Sequence, residues 1–217
     1  MLLATAAEAG AAGPPRLYNS GPARGAGFIR IANISSRVVS ITPAGRARID
    51  IAAEGAQRVT PFEAIVPGKI AASIHIGKQM KKLDLAIAAN ELVTVVIGVA
   101  AKGGITTTAV RETPKDFNAL RASLALFGVD NTCASARLVA DQNTVVIAGV
   151  APGVLGRKAV NPVKAKLEVF CGDEPAGLPA ELGQLEAGER YSILIFAGQG
   201  TGRRVLAVRD EIAVTRD

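Results

Sequence analysis

Tryptophan is absent from this chain of 217 residues, and Tyr and Phe bring the aromatic share to 4%. There is a single histidine, His75, and there are two cysteines. So few aromatic rings leave little on which bases or sugars could stack, which speaks against a nucleic-acid or ring-stacking sugar binder. One histidine leaves little for acid–base chemistry, which needs a nucleophile, a base and an orienting group within reach. His75 lies in an alternating run with Ala71 and Ser73, opposite an isoleucine face. It reads as a solvent-facing or inter-domain side chain. Two cysteines without nearby histidines cannot build a zinc site. There is no G-x-S-x-G elbow and no Gly-Asp-Ser box. No glycine-rich phosphate loop follows a strand and opens a helix, and Gly198-Gln199-Gly200-Thr201-Gly202 reads as a hairpin turn. No apolar run approaches the ~18 residues of a membrane span; the best is Leu92 to Ala101. Catalytic residues, cofactors, metals and membrane spans are therefore not expected.

What is present is aliphatic and punctuated. Hydrophobic residues make up 49% of the chain, with 23 Gly and 11 Pro to supply turns. Val163, Ala165, Leu167 and Val169 alternate with Lys164, Lys166 and Glu168, the period of two of a half-buried strand. Pro162 leads into that strand and Gly172 ends it. The same construction occurs from Pro67 to Gly77, 95 residues earlier at both ends. Residues 28–33 and 124–129 precede the two copies at an offset of 96, and residues 91–97 and 189–195 follow them at 98. Three strands in the same order point to a duplicated β-module. A period near 100 residues means two tandem domains, because solenoid repeats run ~20–50 residues. The fold class expected is all-β: two tandem antiparallel β-sandwich domains from an internal duplication.

The expected division is 1–13, 14–113 and 114–217. Residues 1–13 read as the remnant of a signal peptide, with Ala7 and Ala9 or Ala9 and Ala11 as a cleavage box, or as a disordered tail. A positive n-region and a full apolar h-region are missing. Export to the periplasm is the favoured reading. The first domain is expected to hold strands at 28–33, 37–42, 47–51, 70–76, 81–88, 91–99 and 105–111. Pro61 makes 57–66 an edge or bent strand. A linker at 112–116 leads to strands at 122–129, 134–140, 144–150, 163–170, 190–197 and 203–208, with a last short one at 211–214. Residues 154–158 and 175–188 read as loops.

Charge is uneven. Residues 1–113 hold 13 Lys and Arg against 7 Asp and Glu, whereas residues 114–217 hold 12 of each. The net +6 thus belongs to the first half, which suggests either an anionic partner (nucleic acid, an acidic polysaccharide, a membrane surface or an acidic protein) or a solubilising surface charge. Arg24, Arg30, Arg46, Arg48, Lys78, Lys81 and Lys82 are the cations available for such a partner. Cys133 and Cys171 are either a disulfide, as export would permit, or two buried thiols.

Several of these stretches resemble one family. Leu17-Tyr18, Pro22-Ala23-Arg24-Gly25 and Phe28-Ile29-Arg30-Ile31-Ala32-Asn33 resemble the mature N-terminus of the AlgF family of periplasmic alginate O-acetylation proteins. Val66-Pro67-Gly68 and Asn161-Pro162-Val163-Lys164 are similar to its other recognisable segments. The resemblance implies a non-catalytic adaptor of two β-sandwich domains. Its partners would be a membrane-bound O-acyltransferase, periplasmic acetyltransferases and an anionic polysaccharide. The polymer would be alginate, or another exopolysaccharide such as cellulose. The alternative is a carbohydrate-binding module for an acidic polysaccharide. Tyr18, Arg24, Arg30 and Asn33 lie in the matching motif and are the candidate partner or polymer contacts. Arg30 could instead pair across strands and Asn33 serve a turn. Changing Arg24 and Arg30 to glutamate is expected to weaken binding without unfolding the domain.

Overall fold

The computed structural model describes residues 25–114, 118–141, 144–198 and 202–213. The tail at 1–13 lies outside the described residues. Alternating aliphatic runs and frequent turn residues give sixteen strands and, among the described residues, no α-helix. The first half holds β1 (Gly27–Asn33), β2 (Val39–Pro43), β3 (Ile49–Ile51), β4 (Glu63–Ile65), β5 (Gly68–Ile76), β6 (Gln79–Ile87), β7 (Leu92–Val99) and β8 (Ile105–Glu112). The second holds β9 (Ala122–Gly128), β10 (Ala136–Ala140), β11 (Thr144–Val150), β12 (Leu155–Val160), β13 (Leu167–Cys171), β14 (Glu174–Pro175), β15 (Arg190–Ala197) and β16 (Arg203–Arg209). Where Pro61 interrupts the chain, a 3-10 turn at Ala56–Arg58 precedes the short β4.

The duplication is visible in the strand order. The first half forms sheets β4-β1-β7-β8 and β3-β2-β5-β6; the second forms β12-β9-β15-β16 and β11-β10-β13-β14. Each strand of the second set is the eighth after its counterpart in the first. All pairings are antiparallel except β1 with β7 and β9 with β15. Gly77 and Gly172 open equivalent hairpins with φ of 58° and 59°, the left-handed value glycine adopts without a Cβ clash.

The register corrects one offset. Ile29 pairs with Val93, and Leu124 pairs with Tyr191. Val93 and Tyr191 are 98 apart and both point into their sandwich cores. Ile29 therefore corresponds to Leu124, an offset of 95 rather than 96. One residue matters, because it moves every side chain to the other face of the sheet.

Four sheets stack in one pile. Val93, Val95 and Ile97 of β7 face Val39, Ile41, Ile74 and Ile76 of the outer sheet. On the other face of the same sheet, Ala32, Val96 and Val110 meet Ala125, Phe127, Leu194 and Phe196 of the second half. The two middle sheets are therefore covered on both faces. That is why β7 and β15 read as nearly continuous apolar runs, whereas the outer strands alternate.

Three expectations at the element level are corrected. Residues 154–158 are not a loop: Leu155–Val160 is β12, paired along β9. Gly156 does not break this strand; it is there for close approach. A Cβ on it would lie 2.6 Å from Ile147 Cγ2. The strand expected at 163–170 begins its ladder only at Leu167, because residues before it meet the following loop, with Lys164 bridged to Gln184. The last short strand reduces to a bridge between Ile212 and Phe62 of the first half. The Cys133 and Cys171 sulfurs are bonded, with Cα atoms 5.5 Å apart. Closing a loop with a sequence separation of 38 removes about 4 kcal/mol of unfolded-chain entropy.

Candidate functional site: the seam and the outer faces

Arg30 alternates onto the face of β1 that turns away from its own sandwich core. That face is covered by the second half, so the guanidinium is buried, with 2% of the residue exposed. Each of its three nitrogens has a partner there. Nε donates to Thr94 Oγ1 at 2.9 Å, Nη2 to Ser192 Oγ at 2.7 Å and Nη1 to Asp210 Oδ1 at 2.7 Å. Phe62 lies 4.3 Å and Phe127 5.5 Å from it, ring centroid to guanidinium carbon. Thr94 and Ser192 are counterparts in the duplication, on β7 and β15. One arginine thus bridges both copies of the same hydroxyl position, and Ala125, its own counterpart, leaves room for it.

The network continues towards the rim of the seam. Arg157 binds Glu112 through two nitrogens, the Nη2 bond being 3.0 Å, and Arg190 binds the same carboxylate at 2.9 Å. Arg157 also stands 3.7 Å from Asp210 Oδ2, which has no hydrogen-bond partner among the described residues. Burial raises the Asp210 pKa. The Arg30 charge, with the Ser192 hydroxyl and Arg157 behind it, more than offsets this and holds the carboxyl below its ordinary range.

The four candidate contacts fare differently. Tyr18 and Arg24 lie outside the described residues. Arg30 is internal, which corrects its expected role as a surface contact. Arg30→Glu would place a second carboxylate against buried Asp210, so lost binding would report a broken seam. Asn33 is 0% exposed. Its Nδ2 donates to Arg37 O and Ala52 O at 2.8 Å each, and its Oδ1 accepts from Ser35 N and Oγ at 2.9 and 2.7 Å. It staples the turn after β1 and presents nothing outward. Asp210, beside Glu211 after the last strand, is internal as well: its side chain is 4% exposed. A usable signal was Arg30, Thr94 and Ser192 standing as polar residues inside otherwise apolar strands.

Two surfaces remain open. On the outer face of the sheet β3-β2-β5-β6, cross-strand register aligns Asp50, Ser40, His75 and Met80 in one row and Thr42, Ser73 and Lys82 in the next. Arg48 bonds Asp50 at 2.8 Å and Ser40 at 2.6 Å. The arrangement is not a charge relay, since the carboxylate is engaged by Arg48 rather than His75. It is a shallow, hydroxyl-rich and cationic surface. Where the halves meet, a second cleft of about 800 Å3 is lined by Gln57, Glu181, Gln184, Glu186 and Glu211. Arg209 partly balances it by pairing with Glu186 at 3.3 Å.

Fold and site together define a tandem β-sandwich protein with an ionic seam. No family model matches the chain and no curated protein does. Among solved structures, it is similar to the C-terminal domain of AlgF from P. aeruginosa. That match has 22% identity and a TM-score of 0.35, over 42% of this chain and 98% of that one. It is also similar to a candidate cell adhesion protein from Bacteroides uniformis, at 9% identity and a TM-score of 0.29, over 88% of this chain and 100% of that one. Both likenesses are distant and carry no activity or partner over to this chain. No helix among the described residues is long and apolar enough to cross a membrane.

Proposed function

We propose that this chain is a non-catalytic periplasmic adaptor for O-acetylation of an exopolysaccharide, with alginate as the polymer. It holds a membrane-bound O-acyltransferase and periplasmic acetyltransferases beside their substrate. The observation that carries the reading is the joining of the two sandwiches. A buried ionic network and an apolar layer make one block, and its surfaces differ in charge. The hydroxyl-rich face around Arg48, His75 and Lys82 suits a carboxylated sugar polymer, because Arg and Lys donate to carboxylates. The cleft with Glu181, Glu186 and Glu211 would repel such a polymer and suits a cationic protein surface. The Phe28–Asn33, Val66–Gly68 and Asn161–Lys164 stretches that resemble the AlgF family support the same reading.

The test is a tagged pull-down of residues 14–217 from the host's envelope fraction at low salt, read by mass spectrometry. Recovery of an acyltransferase or acetyltransferase is expected, and its loss on changing Glu181 and Glu211 to Lys would map the cleft. A preparation free of such enzymes would overturn the adaptor reading. The carbohydrate-binding reading would then rest on the basic face. It predicts salt-sensitive binding of an acidic glycan, abolished by Arg48→Glu with Lys82→Glu.

A further inference from the structure

The duplication contains its own control, and the two sandwiches differ at one edge. In the second half, β11 and β12 are seven and six residues long and close the mouth between the sheets. Gly156 lets their backbones approach. In the first half the counterparts β3 and β4 are three residues each, and Ile31 is met by Thr60, just before Pro61, through its backbone N–H and its hydroxyl, where Gly156 stands opposite Leu126. The result is a cavity of about 610 Å3 that opens at this edge and reaches between the sheets. Ile29 and Ile31, half-buried on its wall, correspond to Leu124 and Leu126, exposed by 1% and 0%. Ile49 is 40% exposed, whereas its counterpart Ile147 is 6%. Ala72 corresponds to the larger Leu167. The isoleucines match their counterparts in size, so the space comes from the short β3 and β4 and from Ala72 standing where the second half has Leu167.

The wall and the rim have different chemistry. The wall is aliphatic, built from isoleucines, and has no aromatic ring to stack on a planar ligand. At the mouth stand Arg46 and Lys69. Arg46 touches Glu63 at 3.4 Å in an exposed pair, and Lys69 has no ion-pair partner among the described residues. We infer that this cavity binds one aliphatic chain carrying an anionic head, with the chain between the sheets and the head at Lys69 and Arg46. The volume falls in the ~300–1,000 Å3 range of pockets that enclose one small ligand. That favours a free single-chain amphiphile over a two-chain lipid held in a bilayer. The inference stands on the cavity alone and does not depend on the adaptor reading.

The experiment titrates the full chain with cis-parinarate, a straight-chain fluorescent carboxylate, and competes it with laurate, with dodecanol and with phosphatidylglycerol vesicles. Saturable binding displaced by laurate is expected, without co-sedimentation on vesicles. Ala72→Leu, which installs the residue of the second half, should weaken binding by roughly tenfold or more, with Tm unchanged or raised. Ile49→Phe at the exposed rim gives a second obstruction should the first variant misfold. Arg46→Glu with Lys69→Glu should weaken parinarate and leave dodecanol competition unchanged. Equal affinity in the obstructed variants, no saturable binding, or uptake from vesicles that laurate does not compete would each overturn the inference.

Discussion

Arg30 carries most of what a single residue does here. Its partners are all desolvated, so the cost of removing it is the cost of an orphaned carboxylate. Arg30→Leu should destabilise the fold by about 3–5 kcal/mol, measured by urea denaturation. Arg30→Leu with Asp210→Leu should recover most of that loss, because an apolar pair of similar volume replaces both charges at once. Acid should act through the same pair. A carboxyl whose folded pKa lies below its unfolded value of ~3.9 binds its proton more weakly when folded. Its contribution is therefore fully present above that value, and is lost as pH falls through the lower, folded one. The urea midpoint should stay level from neutral pH to about pH 5 and drop below about pH 4, and the drop should be smaller in the double variant.

At the scale of elements, β12 and the two middle sheets show what sequence patterns convey. Gly156→Ala should cost about 1–3 kcal/mol, the usual penalty for overpacking, because β12 has no room to retreat from Ile147 and Val150. A thermal shift assay would read it. The class and the duplication were legible, since period-two alternation and repeated Pro–strand–Gly units survive in single-sequence form. The 95-residue echo of Pro67 in Pro162 precedes equivalent strands of the structure, β5 and β13. β12 was not legible, because a glycine that permits close packing looks the same as a glycine that ends a strand. The site was less legible still. Arg30 meets Asp210 across 180 residues, and no local pattern announces so distant a partner. Basic charge on a strand reads as solvent exposure unless the covering sheet is known.

At the scale of the whole molecule, the seam couples the halves. Phe127, Leu194 and Phe196 are each at most 2% exposed against Ala32, Val96 and Val110. The chain should therefore melt in one calorimetric transition. Leu194→Asp, which sets an unpaired charge in that layer, should split it into two. Two-sided cover of β1 also sets an order of events in synthesis. The first sandwich is complete once β8 has emerged, while the sheet that will cover it is still untranslated. In that interval its outward face is a flat apolar surface of a nascent chain, the kind that recruits wrong neighbours. Arg30 sits in the middle of that face, hydrated and charged, and discourages such contacts until Asp210, near the end of the chain, arrives to neutralise it. The residue that locks the finished molecule is thus also the one that keeps its first half apart from strangers until the lock can close.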